Sequence, residues 1–119
     1  MSLKKKFRLK QDRDFARVYN EGRKLFSPHF VLYISRGSML YSRLGVAISR
    51  THIKLATHRN RLRRVAKAFF RKNFIDNQYH QLKDLSRDMV LASRGKQERY
   101  PLKELETEII HLLERAEQI

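Results

Sequence analysis

The sequence contains no cysteine. That excludes disulfides and thiolate metal sites, and it fits a reducing cytosol. Glycine is scarce, with only four in 119 residues, and none belongs to a glycine-rich phosphate loop. No apolar run approaches the roughly 20 residues of a membrane span. The start, MSLKKKFRLK, is basic but lacks the apolar stretch that follows in a secretory signal. These absences point to a soluble, cytoplasmic protein with no membrane partner. The most informative absence is acid: from Glu21 to Asp76 lie 54 residues without one Asp or Glu.

What is present is positive charge, unevenly placed. Formal net charge is +15; residues 1–75 hold 20 basic and 3 acidic side chains, or +17, and residues 76–119 hold 7 and 9, or −2. An ordinary solvated surface mixes both signs. A polyanionic partner explains the bias most simply, nucleic acid ahead of an anionic membrane or an acidic protein. A length of 119 residues with 41% hydrophobic content supports one domain, 1–119, with one modest core. Residues 1–10 read as a basic, partly flexible arm.

The stretch QDRDFARVYNEGRK reads as a short helix, with Asp12 as its cap and Gly22 left-handed just past its end. Phe15 and Tyr19, four apart, share one face. Residues 23–26 form a short strand before Ser27-Pro28. HFVLYISR alternates, with Phe30, Leu32 and Ile34 on one side and Val31, Tyr33 and Ser35 on the other. RLGVAISR alternates again, Leu44, Val46 and Ile48 opposite Gly45, Ala47 and Ser49. The two strands read as an antiparallel hairpin whose second face carries small residues, leaving room for something to lie there. A basic helix follows, packed through Leu62, Val65 and Phe69, with Arg64, Lys67 and Arg71 on the opposite side. RDMVLASR is the last strand, ended by Gly95. YPLKELETEIIHLLERAEQ is the clearest helix: Pro101 suits its first turn, and Leu102, Leu105, Ile109, Leu112 and Ala116 face the core. Helices and strands in this order make a small α/β sandwich.

Seven of the fourteen residues from Arg59 to Lys72 are Arg or Lys. The first four of them, Arg59, Arg61, Arg63 and Arg64, are all arginines, whose planar fork grips phosphate bidentately and stacks on bases. The bland alternative is a solvated helix face. Asn60 reads as an N-cap, as an RNA contact, or as both, since a helix start also attracts phosphate. Phe15 and Tyr19 are either core residues or, with Tyr33, a stacking floor for single-stranded RNA. The histidines at 29, 52, 58, 80 and 111 have no metal-ligand spacing. Asp12 and Asp14 read as dipole partners of a helix start rather than a catalytic pair.

Lys54-x-Ala56-x-x-Arg59-Asn60-Arg61-Leu62-x-Arg64 resembles the Arg-Asn-Arg motif of the bacterial ribonuclease P protein subunit. FRLKQDRDFARVYNEG, FVLYI, RLGVAISR and DMVLASR fit the same family in the same order. The resemblance implies an αβββαβα two-layer sandwich, ribosomal protein S5 domain 2-like, with a mixed four-stranded sheet and a left-handed βαβ crossover. It implies no catalytic residue in this chain: a partner ribonuclease P RNA, using Mg2+, removes the 5′ leader of precursor tRNA. It also implies no metal or other cofactor bound by the protein and no small-molecule substrate. By the same resemblance, Lys54, Arg59, Asn60, Arg61, Arg63, Arg64, Lys67 and Arg71 bind the catalytic RNA, while Phe15, Tyr19, Val31 and Tyr33 line the leader cleft. The competing reading is a structural RNA-binding protein, ribosomal or chaperone. A helix-turn-helix DNA binder fits poorly, because no second helix closely precedes the basic one.

Overall fold

Strict alternation gives each strand two faces, and the fold uses the two differently. The computed structural model describes residues 3–76, 86–95 and 101–119. Elements run as a single 3-10 turn (Lys5–Phe7), α1 (Asp12–Glu21), β1 (Arg23–Phe26), β2 (Phe30–Arg36), β3 (Arg43–Ala47), α2 (Ala56–Phe70), a π-helical turn (Arg71–Ile75), β4 (Arg87–Ser93) and α3 (Leu102–Glu117). This is the αβββαβα order, with a mixed four-stranded sheet. His80, the Tyr100 start of the last helix and the first two residues of the arm lie outside the described residues.

The expected hairpin of β2 and β3 does not form. The sheet order is β1-β2-β4-β3. β4 lies between them, antiparallel to β2 and parallel to β3. The antiparallel neighbours in sequence are instead β1 and β2. The physical reason is burial: Met89, Val90 and Leu91 are all fully buried. A strand apolar on both faces belongs in the middle of a sheet, not at its edge. The parallel pair β3 and β4 is joined through α2, as a βαβ connection requires.

One face of the sheet carries the main core. Leu32, Ile34, Leu44, Met89 and Leu91 meet Leu62, Ala66 and Phe70 of α2 and Leu105, Ile109 and Leu112 of α3. The contact arc of α2 is rotated from the expected Leu62–Val65–Phe69 to Leu62–Ala66–Phe70, and Val65 and Phe69 are only half-buried. The rotation follows from α2 packing on α3 as well as on the sheet; Ala66 suits a close helix–helix approach. Phe70 stacks on Phe74 of the π turn at 5.1 Å.

The arm is pinned down from residue 3 onward. Leu3 and Phe7 enter the main core, and Leu9 joins a second cluster. The Leu9 amide donates to the Leu44 carbonyl at 3.0 Å, along the edge of β3. The surrounding lysines and arginines conceal these three apolar anchors. Asp12 makes no capping bond, and Gly22 is extended with φ −73° rather than left-handed. Gly22 is required for another reason: a Cβ there would run into the Val18 carbonyl. The left-handed glycine is Gly95, at φ +70°.

Candidate nucleic-acid interface

The second face of the sheet is built in rows. Cα pairing aligns Ser35, Asp88 and Arg43 in one row, Tyr33, Val90 and Gly45 in the next, and Val31, Ala92 and Ala47 in a third. Among the described residues a single helix, α1, covers this face.

The first row is a polar clamp. Asp88 is fully buried. Arg43 grips it with two hydrogen bonds, Nε to Oδ1 at 3.1 Å and Nη2 to Oδ2 at 2.8 Å. Arg17 reaches down from α1 to the same carboxylate and to the Arg36 carbonyl at 3.3 Å. Asp14 adds a second acid 3.6 Å from Arg43. Burial pushes the Asp88 carboxyl up, but the hydrogen bonds from Arg43 and Arg17 outweigh it and hold it below its usual value. Its hydrogen bond to Asp88 likewise holds the Arg43 guanidinium above its ordinary value. The clamp fixes the tilt of α1 over the sheet. Asp14 reads from the sequence only as a partner of the helix dipole, and nothing local marks Arg17, Arg43 and Asp88, because salt-bridge partners 45 and 71 residues apart leave no local signal.

The second row is aromatic. Phe15, Tyr19 and Tyr33 are half-buried, packed against Leu9, Val18 and Val90. Tyr19 meets Tyr33 edge-on, with centroids 4.8 Å apart, and Phe15 lies 6.3 Å from Tyr19. Gly45 makes this possible, since a Cβ there would sit 2.6 Å from the Phe15 ring. The small residue thus leaves space, but α1 itself takes it. Burial, and to a lesser degree Tyr33, pushes the Tyr19 hydroxyl pKa up. The Lys24 ammonium lies 5.8 Å from the Tyr33 ring centre. In the third row Ala47 and Ala92 remain half-exposed, while Val31 is buried. Val31 therefore forms floor rather than wall. The rings are not sealed, and the half-exposed alanines lie in the row beside them.

On α2 the predicted cationic residues divide by orientation. Arg59 turns back, its Nη1 donating to the Ile53 and Lys54 carbonyls at 2.8 Å each. It holds the loop that carries exposed Lys54. Asn60 is inside the helix, whose cap position is Leu55, so it is not an N-cap. Its side-chain oxygen accepts from Arg63 at 3.2 Å. Arg61 donates to Glu106 of α3 at 3.1 Å, and Arg71 pairs with Asp76 at 3.7 Å. Arg64 is exposed. Lys67 is half-buried; burial, then Arg8 and Arg63, lower its pKa. Among the described residues the ridge left without an acid or carbonyl partner is thus narrower than the sequence implies: Arg63, Arg64 and Lys67, flanked by Lys54. Among the described residues no group of three His, Asp or Glu side chains could hold a metal ion.

The same architecture occurs in known proteins. The chain is 32% identical over 109 residues to the ribonuclease P protein component of Clostridioides difficile, covering 92% of this chain and 90% of that one. The RNase P protein of Thermotoga maritima superposes with TM-score 0.62 at 32% identity, covering 91% and 96% of the two chains. The Staphylococcus aureus RNase P protein shares the fold with TM-score 0.69 at 23% identity, covering 92% and 94%. A family model described as Ribonuclease P matches residues 3–117. With that span matched, the chain belongs to the ribonuclease P family, as a protein component of a ribonucleoprotein that processes tRNA.

Proposed function

We propose that the chain grips two RNAs at once. The α2 ridge, Arg63, Arg64 and Lys67 with Lys54, docks on the catalytic ribonuclease P RNA. The trough of Phe15, Tyr19 and Tyr33 over Val31 holds the single-stranded 5′ leader of precursor tRNA. Arg59, Asn60, Arg61 and Arg71 shape and brace that ridge through the bonds described above. The observation that carries this reading is the separation of two chemistries: arginine and lysine on a helix covering one face of the sheet, half-open rings on the other.

The chemistry of each surface suits its target. Cations on a helix neutralise phosphates and release counterions, so binding there is salt-dependent and tolerant of sequence. Aromatic stacking supplies roughly 1–3 kcal/mol per base, also without sequence demand. Leaders differ in sequence, so a tolerant trough is apt. The nucleophile and Mg2+ belong to the RNA in this reading; the protein screens phosphate repulsion and holds the leader. Cleavage of precursor tRNA at low Mg2+ by a bacterial ribonuclease P RNA, with and without this chain, is the test. The chain restores cleavage and raises affinity for precursor over mature tRNA. A ribosomal or chaperone protein would bind both alike, and that outcome refutes the proposal. Tyr19→Ala or Tyr33→Ala weakens leader-bearing substrate while leaving mature tRNA unaffected.

A further inference from the structure

Phe26 is an apolar ring left half in water, with 53% of its surface exposed. It ends β1, directly opposite Val31 of β2. Its neighbour Leu25 points into the main core, so Phe26 points to the other face, that of the trough. It therefore extends the third row, Val31, Ala92 and Ala47, to the sheet edge. The Arg94 guanidinium lies 5.2 Å from its ring centre. One row away, Lys24 stands over Tyr33 in the same manner. The face thus presents two successive ring-and-cation units. Neighbouring rows are two residues apart along a strand, about 6.7 Å, comparable to the reach of one extended nucleotide.

The ring is also held in place. The Arg115 guanidinium of α3 donates to the Phe26 carbonyl at 3.0 Å. The following turn is tied by Ser27 and the His29 amide to Glu108, at 2.7 and 2.9 Å. A backbone fastened from behind presents its side chain without an ordering cost on binding. Exposed apolar surface so placed, with cations beside it, fits a base and its phosphate.

We infer that Phe26, with Arg94 beside it, is a further stacking subsite for single-stranded RNA, lengthening the trough across β1 so that additional leader nucleotides are bound. The inference rests on the trough being the leader site. The subsite is reached only by leaders long enough to pass Tyr33. Its signature is therefore a dependence on leader length.

The test measures binding of precursor tRNAs with leaders shortened one nucleotide at a time. The holoenzyme is assembled from a bacterial ribonuclease P RNA and either the natural chain, Phe26→Ala or Phe26→Trp. Phe26→Ala loses about tenfold in affinity for long leaders, and nothing for the shortest leader or mature tRNA. Phe26→Trp restores the long-leader affinity. Natural-like binding by Phe26→Ala at every length overturns the subsite, as does an equal loss at every length. If the natural chain itself shows no dependence on leader length, the trough reading fails and the subsite with it. Phe26 is exposed, so the variants fold, and circular dichroism melting verifies this before binding is measured.

Discussion

The two faces of one sheet carry the same alternation of residues yet end up as different materials. One face is covered by α2 and α3 and is dry: Leu32, Met89, Leu91 and Leu105 have no exposed surface. The other is covered, among the described residues, by α1 alone, and its rings stay half in water. What separates a core from a platform here is the number of helices laid over it, not the hydrophobicity of the strands. One helix cannot bury a face four strands wide. The remainder leaves rings and cations open to solvent side by side.

The sharpest way to break this contrast is to damage each face separately. Phe30→Ala empties a fully buried site on the dry face and should cost about 3–5 kcal/mol of stability in urea unfolding. Should the loss fall below about 1 kcal/mol, the dry face is not packed as described. Next in size is the clamp. Asp88→Ala strands two arginines, one of them largely buried, and should cost about 3 kcal/mol. Because the folded carboxyl is held low, its contribution is complete above the ordinary carboxylate pKa near 4 and is lost as pH falls through the lowered folded value. An acid titration of stability should therefore be flatter in Asp88→Ala than in the natural chain; an identical slope refutes the clamp.

Gly45→Ala is a finer probe, because it touches only the platform. The added methyl meets the Phe15 ring at 2.6 Å, so α1 or the ring must shift. About 1–2 kcal/mol of stability should go, and precursor tRNA affinity should fall further than mature tRNA affinity. Equal losses would separate Phe15 from the leader. The smallest expected effect belongs to the ridge. Arg64→Ala should leave stability within about 0.5 kcal/mol while, on the proposed function, weakening assembly with the ribonuclease P RNA and reducing the salt slope of log K by roughly one. If Gly45→Ala and Arg64→Ala gave the same uniform loss, the division of labour between surfaces would be wrong.

Much of this was legible in the chain, for a physical reason. Period-two alternation in FVLYI and RLGVA tells which residues share a face, and that assignment survives any strand order. It separated Tyr33 and Gly45 from Leu32 and Leu44 correctly. Strand order itself was not legible, since β4 pairs with partners 45 and more residues away. The hint lay in MVLA, four consecutive apolar residues with no polar side, a mark of a central strand. The motif helix was recognisable by charge, but charge does not say which way an arginine points. Arg59 folds back on carbonyls and Arg61 meets an acid from α3, both contacts that exist only after the chain has folded. Phe26 went unremarked because a single apolar residue at a strand end looks ordinary until its row-mates are known.

The way the first residues are anchored has a bearing on how this chain avoids sticking to itself. Leu3 and Phe7 reach under β3 while Leu9 reaches over it, and the backbone between them bonds along that strand's outer side. A bare outermost strand is an invitation for a second molecule to add its own. Here the polypeptide closes that invitation with its own beginning. At the opposite margin β1 is only four residues long and carries two adjacent cations, which discourages a visitor by brevity and repulsion. A chain so charged, waiting for RNA, is thus kept from polymerising at either border of its sheet.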